Sequence, residues 1–125
     1  MKRVLLVEDT IELAEEIADI FRLEGYHVTT ASNGTDALDR LREFNPDIIV
    51  TDLLMPGMDG FKLVEKIRTL SSTIPIVILS AKTAESDISL GKALGANAFV
   101  RKPCKGTDLV SIVAKLIQNN GIAKT

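Results

Sequence analysis

Val4–Asp9 reads VLLVED, a short apolar run that ends in two carboxylates. The same pattern recurs at Ile48–Asp52 (IIVTD), Ile76–Ser80 (IVILS) and Ala98–Lys102 (AFVRK). Short apolar runs separated by stretches of helical periodicity are typical of buried parallel strands. Because the carboxyl ends of parallel strands share one edge of the sheet, we expect three carboxylates, a hydroxyl and an ammonium group to meet there. Such a set suits a hard cation together with a phosphoryl group, which indicates phosphoryl chemistry.

Length and composition restrict the chain to one domain of ordinary size, since it has 125 residues. Its formal net charge of −2 gives no electrostatic footprint for nucleic acid. The apolar start of the chain is too short for a signal peptide or a membrane span. One cysteine is too few for an internal disulfide. We therefore expect a cytoplasmic domain that contacts neither nucleic acid nor membrane directly.

Five units of strand, loop and helix are predicted along the chain. Their strands are expected at residues 3–7, 27–31, 47–51, 75–79 and 97–101. The second strand is the most polar and is expected at an edge of the sheet. Gly25 and Gly95 are expected to end the first and fourth helices, and Asp59 is expected to cap the third. Alternation of this kind predicts an α/β fold, a doubly wound five-stranded parallel sheet with helices on both faces.

The polar strand ends occur together with a characteristic loop. Residues 55–60 read MPGMDG and follow Asp52 closely, while Ser80 is followed by Ala and Lys102 by Pro. With the acid pair at residues 8–9, this order of motifs resembles the receiver domain of two-component response regulators over nearly the whole chain. The resemblance implies a flavodoxin-like sheet of order 2-1-3-4-5, the order known for chemotaxis receivers. We place the receiver domain at residues 1–120 and a short C-terminal tail at 121–125.

The resemblance also implies how a phosphoryl group is bound. Asp52 would be the phosphoacceptor, and the Lys102 ammonium would neutralise a phosphoryl oxygen. The Ser80 hydroxyl would donate a hydrogen bond to another phosphoryl oxygen. These roles agree with the chemistry, because phosphoryl transfer depends mainly on positioning and charge stabilisation. A cis peptide bond between Lys102 and Pro103 is implied as well.

A magnesium site is implied at the same place. Asp9 and Asp52 would coordinate Mg²⁺ directly, and Glu8 would act through a water or from outside the ligand shell. The backbone carbonyl of Leu54 would be a further ligand. Mg²⁺ prefers oxygen ligands and keeps several waters, so a few carboxylates suffice.

Four residues around this site are expected to control the signal. Ser80 and Phe99 stand at the family's switch positions, where the aromatic ring moves inward when the hydroxyl shifts toward the phosphoryl group. Leu54 and Lys82 each lie two residues beyond a site residue, at the rim that water must cross. We expect them to tune the lifetime of the phosphoryl group.

The function implied by the resemblance is a signalling switch. A sensor histidine kinase or a histidine phosphotransfer protein would phosphorylate Asp52, and an effector protein would read the face of helix four, strand five and helix five. The chain would catalyse only its own aspartyl phosphorylation and dephosphorylation, as a monomer or a phosphorylation-dependent dimer. The stimulus, the cognate kinase and the effector are not encoded in the motifs. The sequence also leaves open whether the receiver stands alone or belongs to a hybrid kinase or larger regulator.

Two other classes of protein could carry an acid at such a strand end. Phosphatases of the haloacid dehalogenase type use an aspartyl nucleophile, but they have a second Asp two residues later, where this chain has Leu54. A binding module that is never phosphorylated is the third class, and the complete set of polar residues argues against it. Taken alone, Asp9 and Glu12 also have the spacing of a capping box at a helix start.

Overall fold

Five strands alternate with five helices along the chain. The computed structural model describes residues 1–124, with side chains through Asn119. The strands are β1 (Arg3–Val7), β2 (His27–Ala31), β3 (Ile48–Asp52), β4 (Ile76–Ser80) and β5 (Ala98–Arg101). The helices are α1 (Ile11–Leu23), α2 (Gly34–Phe44), α3 (Gly60–Leu70), α4 (Glu85–Leu94) and α5 (Gly106–Lys124). The predicted number and order of elements are confirmed.

The strands form one parallel sheet of order β2-β1-β3-β4-β5, as predicted. The expected bounds of β3 and β4 were one residue too early, because the ladder continues to the polar residues themselves. Asp52 pairs with Leu79, and Ser80 pairs with Arg101. Both site residues are therefore the last residues of regular strands, which fixes their backbones more firmly than loop positions would.

The sheet divides the core into two layers because successive side chains of a strand point to opposite faces. Leu5 and Val7 of β1 pack on the face covered by α2, α3 and α4. Val4 and Leu6 pack on the other face, which α1 and α5 cover. α5 contributes apolar residues to the second layer: Leu109, Ile112, Val113 and Leu116.

The loop from β3 to α3 turns back against the end of β3. Asp59 caps α3 as predicted, since its Oδ1 accepts a hydrogen bond from the Lys62 N–H at 2.9 Å. The Gly60 N–H donates to the Leu53 carbonyl at 2.8 Å. A Cβ atom on Gly60 would lie only 2.5 Å from the Asp52 carbonyl oxygen and 2.8 Å from Leu53 Cα. The loop therefore reaches this close to Asp52 only because residue 60 has no side chain.

Hydrogen bonds from Arg68 link the end of α3 to the connection between α4 and β5. Its Nε and Nη2 donate to the Gly95 carbonyl at 3.0 and 2.7 Å, and Nη2 also donates to Asn97 Oδ1 at 3.0 Å. The same Asn97 oxygen accepts the Ile76 N–H at 2.8 Å, at the start of β4. Gly95, the predicted end of α4, has a φ of +121°, which suits glycine. This network fixes the C-terminal end of α4.

The C-terminal region is helical where it is described. α5 runs to Lys124 and so includes most of the predicted tail, while Thr125 lies outside the described residues. The domain boundary at residue 120 stays a prediction. Within residues 1–124, no helix has the length and apolarity needed to cross a membrane.

The close approach at Gly60 predicts a large effect of one added methyl group. We expect Gly60→Ala to lower the free energy of unfolding by about 1–3 kcal/mol, because rigid backbone must move to make room. Urea unfolding measures this loss. The amide NMR signals of Asp52 and Leu53 should shift as well.

Gly34→Ala is the matched control, because Gly34 also begins a helix after a side-chain cap, that of Asn33. The three atoms nearest to its added Cβ would all belong to the Met58 side chain, with Sδ at 2.6 Å, Cβ at 2.9 Å and Cγ at 3.0 Å. A side chain yields more readily than backbone, so Gly34→Ala should cost less. Equal losses in the two variants would contradict the argument from the loop.

Candidate functional site

Three carboxylates meet at the carboxyl edge of the sheet. Glu8, Asp9 and Asp52 each place one oxygen so that all three oxygens lie within 4.8 Å of one another. Glu8 is only 5% exposed, Asp52 is half-buried and Asp9 is exposed. Carboxylates at this separation repel one another, so the cluster favours a cation.

Lys102 supplies one positive charge to the cluster. Its Nζ lies 3.0 Å from Glu8 Oε1 and 3.0 Å from Asp52 Oδ2. The Lys102 N–H donates to the Ser80 carbonyl at 2.9 Å, which holds the residue directly after β5 against the end of β4. The peptide bond to Pro103 is cis, as the resemblance implies. Lys102, which follows the edge strand β5, thus contacts acids at the ends of β1 and β3.

The pKa values of this pair reflect burial and mutual attraction. Burial raises the pKa of Glu8, while hydrogen bonds from the Thr10 N–H and from Lys102 oppose the rise and the Asp52 charge adds to it. Burial acts to lower the pKa of Lys102, but hydrogen bonds and attraction from Asp52 and Glu8 outweigh burial, so its pKa is raised. Lys102 therefore stays cationic at neutral pH. This ammonium group contacts two of the three clustered carboxylates, those of Glu8 and Asp52.

Asp52 has both of its oxygens held. The Leu53 N–H donates to Oδ1 at 2.6 Å, and Lys102 donates to Oδ2. The Thr51 hydroxyl donates to the Asp52 backbone carbonyl at 2.8 Å. A carboxylate held in this way has a fixed direction in which to face an incoming group.

Asp9 does not cap α1, so the capping-box interpretation is wrong. The N-cap is Thr10, and no described side chain caps this helix. Instead, Glu8 Oε2 accepts the Thr10 N–H at 3.1 Å. Glu8 turns inward to the start of the helix, and the Asp9 carboxylate is left facing the cluster.

Ser80 is fully buried beside the cluster. Its Oγ accepts the Lys82 N–H at 3.0 Å. Ser80 follows Leu79, the residue that pairs with Asp52. The hydroxyl is thus held at the end of the neighbouring strand.

Phe99 lies on the same face of the sheet as Ser80. Phe99 of β5 pairs with Ile78 of β4. Because side chains alternate along β4, Ile78 and Ser80 point to the same face of the sheet. The half-buried ring packs under α4, since a Cβ on Gly91 would lie 3.3 Å from Phe99 Cδ2. The two predicted switch residues therefore lie in the layer that contains α4.

Leu54 and Lys82, the two residues expected at the rim of the site, have exposed side chains. Leu54 is 59% exposed in the loop after β3. Lys82 directs its Nζ to Asp87 Oδ1 of α4, at 3.5 Å. The Leu54 carbonyl as a metal ligand and the effect of both residues on lifetime stay predictions.

Two features of this region have no clear signal in the sequence. Asp87 lies five residues after Lys82, across a helix start, so neither helix nor strand spacing identifies the pair. The other feature is an apolar cavity of about 710 Å³ beside Lys102, between α1 and the start of α5. Its apolar lining includes Leu13, Ile17, Ile20, Pro103, Cys104 and Leu109.

Comparisons with known proteins agree with this geometry. The DNA-binding response regulator MtrA of Mycolicibacterium paratuberculosis is 38% identical over 119 residues, which are 95% of this chain and 52% of MtrA. The sensory transduction protein RegX3 of Mycobacterium bovis is 33% identical over 97% of this chain and 53% of its own length. The chain thus spans about half the length of the curated relatives it matches.

Solved structures match the whole fold. The Vibrio cholerae chemotaxis protein CheY4 superposes with a TM-score of 0.89 at 31% identity, over 93% of this chain and 98% of CheY4. The receiver domain of a signal transduction histidine kinase from Syntrophus aciditrophicus gives 0.87 at 33% identity, over 95% and 92% of the two chains. The family model for the response regulator receiver domain matches residues 4–114. The chain therefore belongs to the receiver domain family of two-component response regulators.

Proposed function

We propose that this receiver accepts a phosphoryl group on Asp52 from a phosphohistidine donor. The observation that carries the proposal is the Lys102 ammonium, 3.0 Å from both Glu8 and Asp52, which form a cluster of carboxylates with Asp9. Such an arrangement provides a nucleophile, a fixed positive charge and a place for a cation. Because the chain belongs to the receiver domain family, a phosphatase reaction is not needed to explain why Asp52 stands at the end of β3.

Transfer requires the Asp52 carboxylate to approach a negatively charged phosphoryl group. An oxygen of Asp52 attacks phosphorus, the bond from phosphorus to the donor imidazole nitrogen breaks, and the nitrogen keeps the electron pair. Lys102 offsets charge on one phosphoryl oxygen, and the Ser80 hydroxyl donates to another. The hydrogen bond from Leu53 holds Asp52 in position, which is the main contribution a protein makes to this reaction.

The donor set fits Mg²⁺, since three carboxylates are the kind of oxygen ligands that this cation takes. Asp9 and Asp52 would bind directly, Glu8 through water or from outside the ligand shell, and Leu54 through its carbonyl. When bound, Mg²⁺ supplies positive charge beside the phosphoryl oxygens. Glu8 has a second task, because its buried carboxylate holds Lys102 near Asp52.

We infer that the donor is a sensor histidine kinase or a histidine phosphotransfer protein that docks beside Lys102. The apolar cavity between α1 and α5 opens next to this lysine and suits the apolar face of a helix. A helix seated there would bring a phosphohistidine to Asp52. The receiver catalyses only its own phosphorylation and dephosphorylation in this scheme.

We infer further that the output is a change in surface shape at α4, β5 and α5, read by an effector protein. DNA binding belongs to MtrA as its name states, and MtrA is about twice as long as the matched region. The net charge of −2 offers no attraction to DNA, so the receiver at residues 1–120 would act through protein contacts, in the cytoplasm, as a monomer or a phosphorylation-dependent dimer.

Asp52→Asn should abolish phosphorylation by acetyl phosphate and Mg²⁺, because an amide is not a nucleophile for this reaction. The free energy of unfolding should rise or stay within about 1 kcal/mol, since the change relieves repulsion among the carboxylates. Mass spectrometry detects the phosphoryl adduct, and urea unfolding reports stability. Asp39→Asn, an exposed acid on α2, is the control and should be phosphorylated normally. Undiminished phosphorylation of Asp52→Asn would remove Asp52 as the acceptor.

Leu54→Asn should shorten the lifetime of the phosphoryl group. An amide at the rim can hydrogen-bond the attacking water, and one such bond corresponds to a rate increase of about 2- to 12-fold. The decay of phosphorylated protein after removal of the donor measures this change. Leu70→Asn alters an exposed leucine at the far end of α3 and should leave the lifetime unchanged. Equal lifetimes for Leu54→Asn and the wild type would contradict the assignment.

Ser80→Ala should keep beryllofluoride binding at Asp52 while reducing the NMR shifts that binding produces in α4 and β5. The buried hydroxyl is the group that would move toward the phosphoryl mimic, and a ligand shifts two states only by binding one of them better. Ser72→Ala, in the exposed loop after α3, is the control. Distant shifts of full size in Ser80→Ala would refute this route.

A further inference from the structure

Lys82 and Asp87 form an ion pair between the loop after β4 and the first turn of α4. Lys82 Nζ lies 3.5 Å from Asp87 Oδ1, with side-chain exposures of 51% for Lys82 and 13% for Asp87. In the part of the chain with described side chains, this is the one ion pair that either residue makes. The Asp87 carboxylate is nearly covered, while about half of the Lys82 side chain is exposed to solvent.

The backbone of Lys82 belongs to the phosphoryl site. Its N–H donates to Ser80 Oγ at 3.0 Å, so the residue begins directly above the buried hydroxyl. The side chain nevertheless points to α4. Lys82 can therefore exchange one anionic partner for another by rotating its side chain, without moving its backbone.

We propose that Asp87 is a positioning residue that holds the Lys82 ammonium away from the phosphoryl site and competes for it with the aspartyl phosphate. The proposal rests on the proposed phosphorylation of Asp52. A phosphoryl group brings additional negative charge beside Ser80. Lys82 then leaves Asp87 and covers the phosphoryl group, and the first turn of α4 loses its cation.

The competition is reciprocal by thermodynamic linkage. If phosphorylation takes Lys82 from Asp87, then removal of the Asp87 charge must strengthen binding at the phosphoryl site. The free-energy difference is that of one partly exposed ion pair, which corresponds to a change of about 1.4- to 5-fold in an equilibrium constant. Asp87 would thus weaken the phosphorylated state modestly and link it to α4.

The first turn of α4 contains two acids and follows an alanine, which cannot cap a helix with its side chain. The residue before the helix is Ala84, and no side chain among the described residues caps its start. Glu85 and Asp87 both lie in this turn, where acids are favourable to the helix dipole. Of the two, only Asp87 contacts Lys82, so Glu85 provides a measure of the purely helical effect.

The experiment compares beryllofluoride binding, with Mg²⁺, in the wild type, Asp87→Asn, Glu85→Gln, Lys82→Met and the double variant Lys82→Met/Asp87→Asn. NMR titration gives the affinities and the Lys82 side-chain shifts, and decay of phosphorylated protein gives lifetimes. Asp87→Asn should tighten binding by about 1.4- to 5-fold and lengthen the lifetime. Glu85→Gln should change neither, and Asp87→Asn should have no effect when Lys82 is already Met.

Each other outcome overturns the proposal. If Asp87→Asn and Glu85→Gln change affinity equally, the effect is that of a helix charge. If Asp87→Asn changes the affinity by the same factor in the wild type and in the Lys82→Met background, its effect does not pass through Lys82. If Asp87→Asn lowers thermal stability but leaves affinity unchanged, its role is structural only. Failure of the wild type to bind beryllofluoride at all would instead refute the proposed function.

Discussion

The contact of Lys102 with both Glu8 and Asp52 is the interaction on which the site depends. A buried carboxylate such as Glu8 is costly unless a positive charge accompanies it. Lys102 provides that charge from a position 94 residues further along the chain, and it reaches Asp52 across 50 residues. The pair therefore forms only when β1, β3 and β5 lie in their native order. The charged site therefore depends on the order of the strands in the sheet.

The charged edge of the sheet has different neighbours on the two faces of the sheet. On the face of α1 and α5, an apolar cavity opens beside Lys102, where a partner can approach. On the face of α2, α3 and α4, the buried Ser80 and the half-buried Phe99 lie close to α4. The alternation of side chains along each strand produces this separation. A chemical event at the edge can thus be supplied from one face and reported on the other.

The sequence was sufficient for features that depend on local pattern. The period of the apolar residues gave the five units, and the polar residue after each run located Asp52, Ser80 and Lys102 at one edge. Asp59 was recognisable as a cap because capping needs only a short spacing. The bounds of β3 and β4 were missed by one residue because ladder pairing with a neighbouring strand, and not local composition, decides where a strand ends.

Features that depend on tertiary geometry could not be read in this way. Glu8 and Asp9 are adjacent acids, and nothing local distinguishes the one that turns inward to Lys102 from the one that stays exposed. The capping-box spacing of Asp9 was an alternative that the other motifs outweighed, and the structure excludes it, because Thr10 is the N-cap of α1 and Glu8 accepts the Thr10 N–H. The pair of Lys82 and Asp87 needs a loop conformation that no periodicity encodes.

The three hydrogen bonds that Arg68 makes to Gly95 and Asn97 give α4 unequal ends. Its C-terminal end is tied to α3 and to the start of β4 through Asn97, whereas Ala84, the residue before its first turn, makes no side-chain cap. A helix that is held mainly at its C-terminal end can pivot about that end, which here is Gly95. If α4 rotates as a rigid body about Gly95, all ten of its residues turn through the same angle, and the displacement of each residue grows with its distance from Gly95. A partner that binds the exposed side of α4 can therefore respond to the orientation of the helix as well as to its side chains.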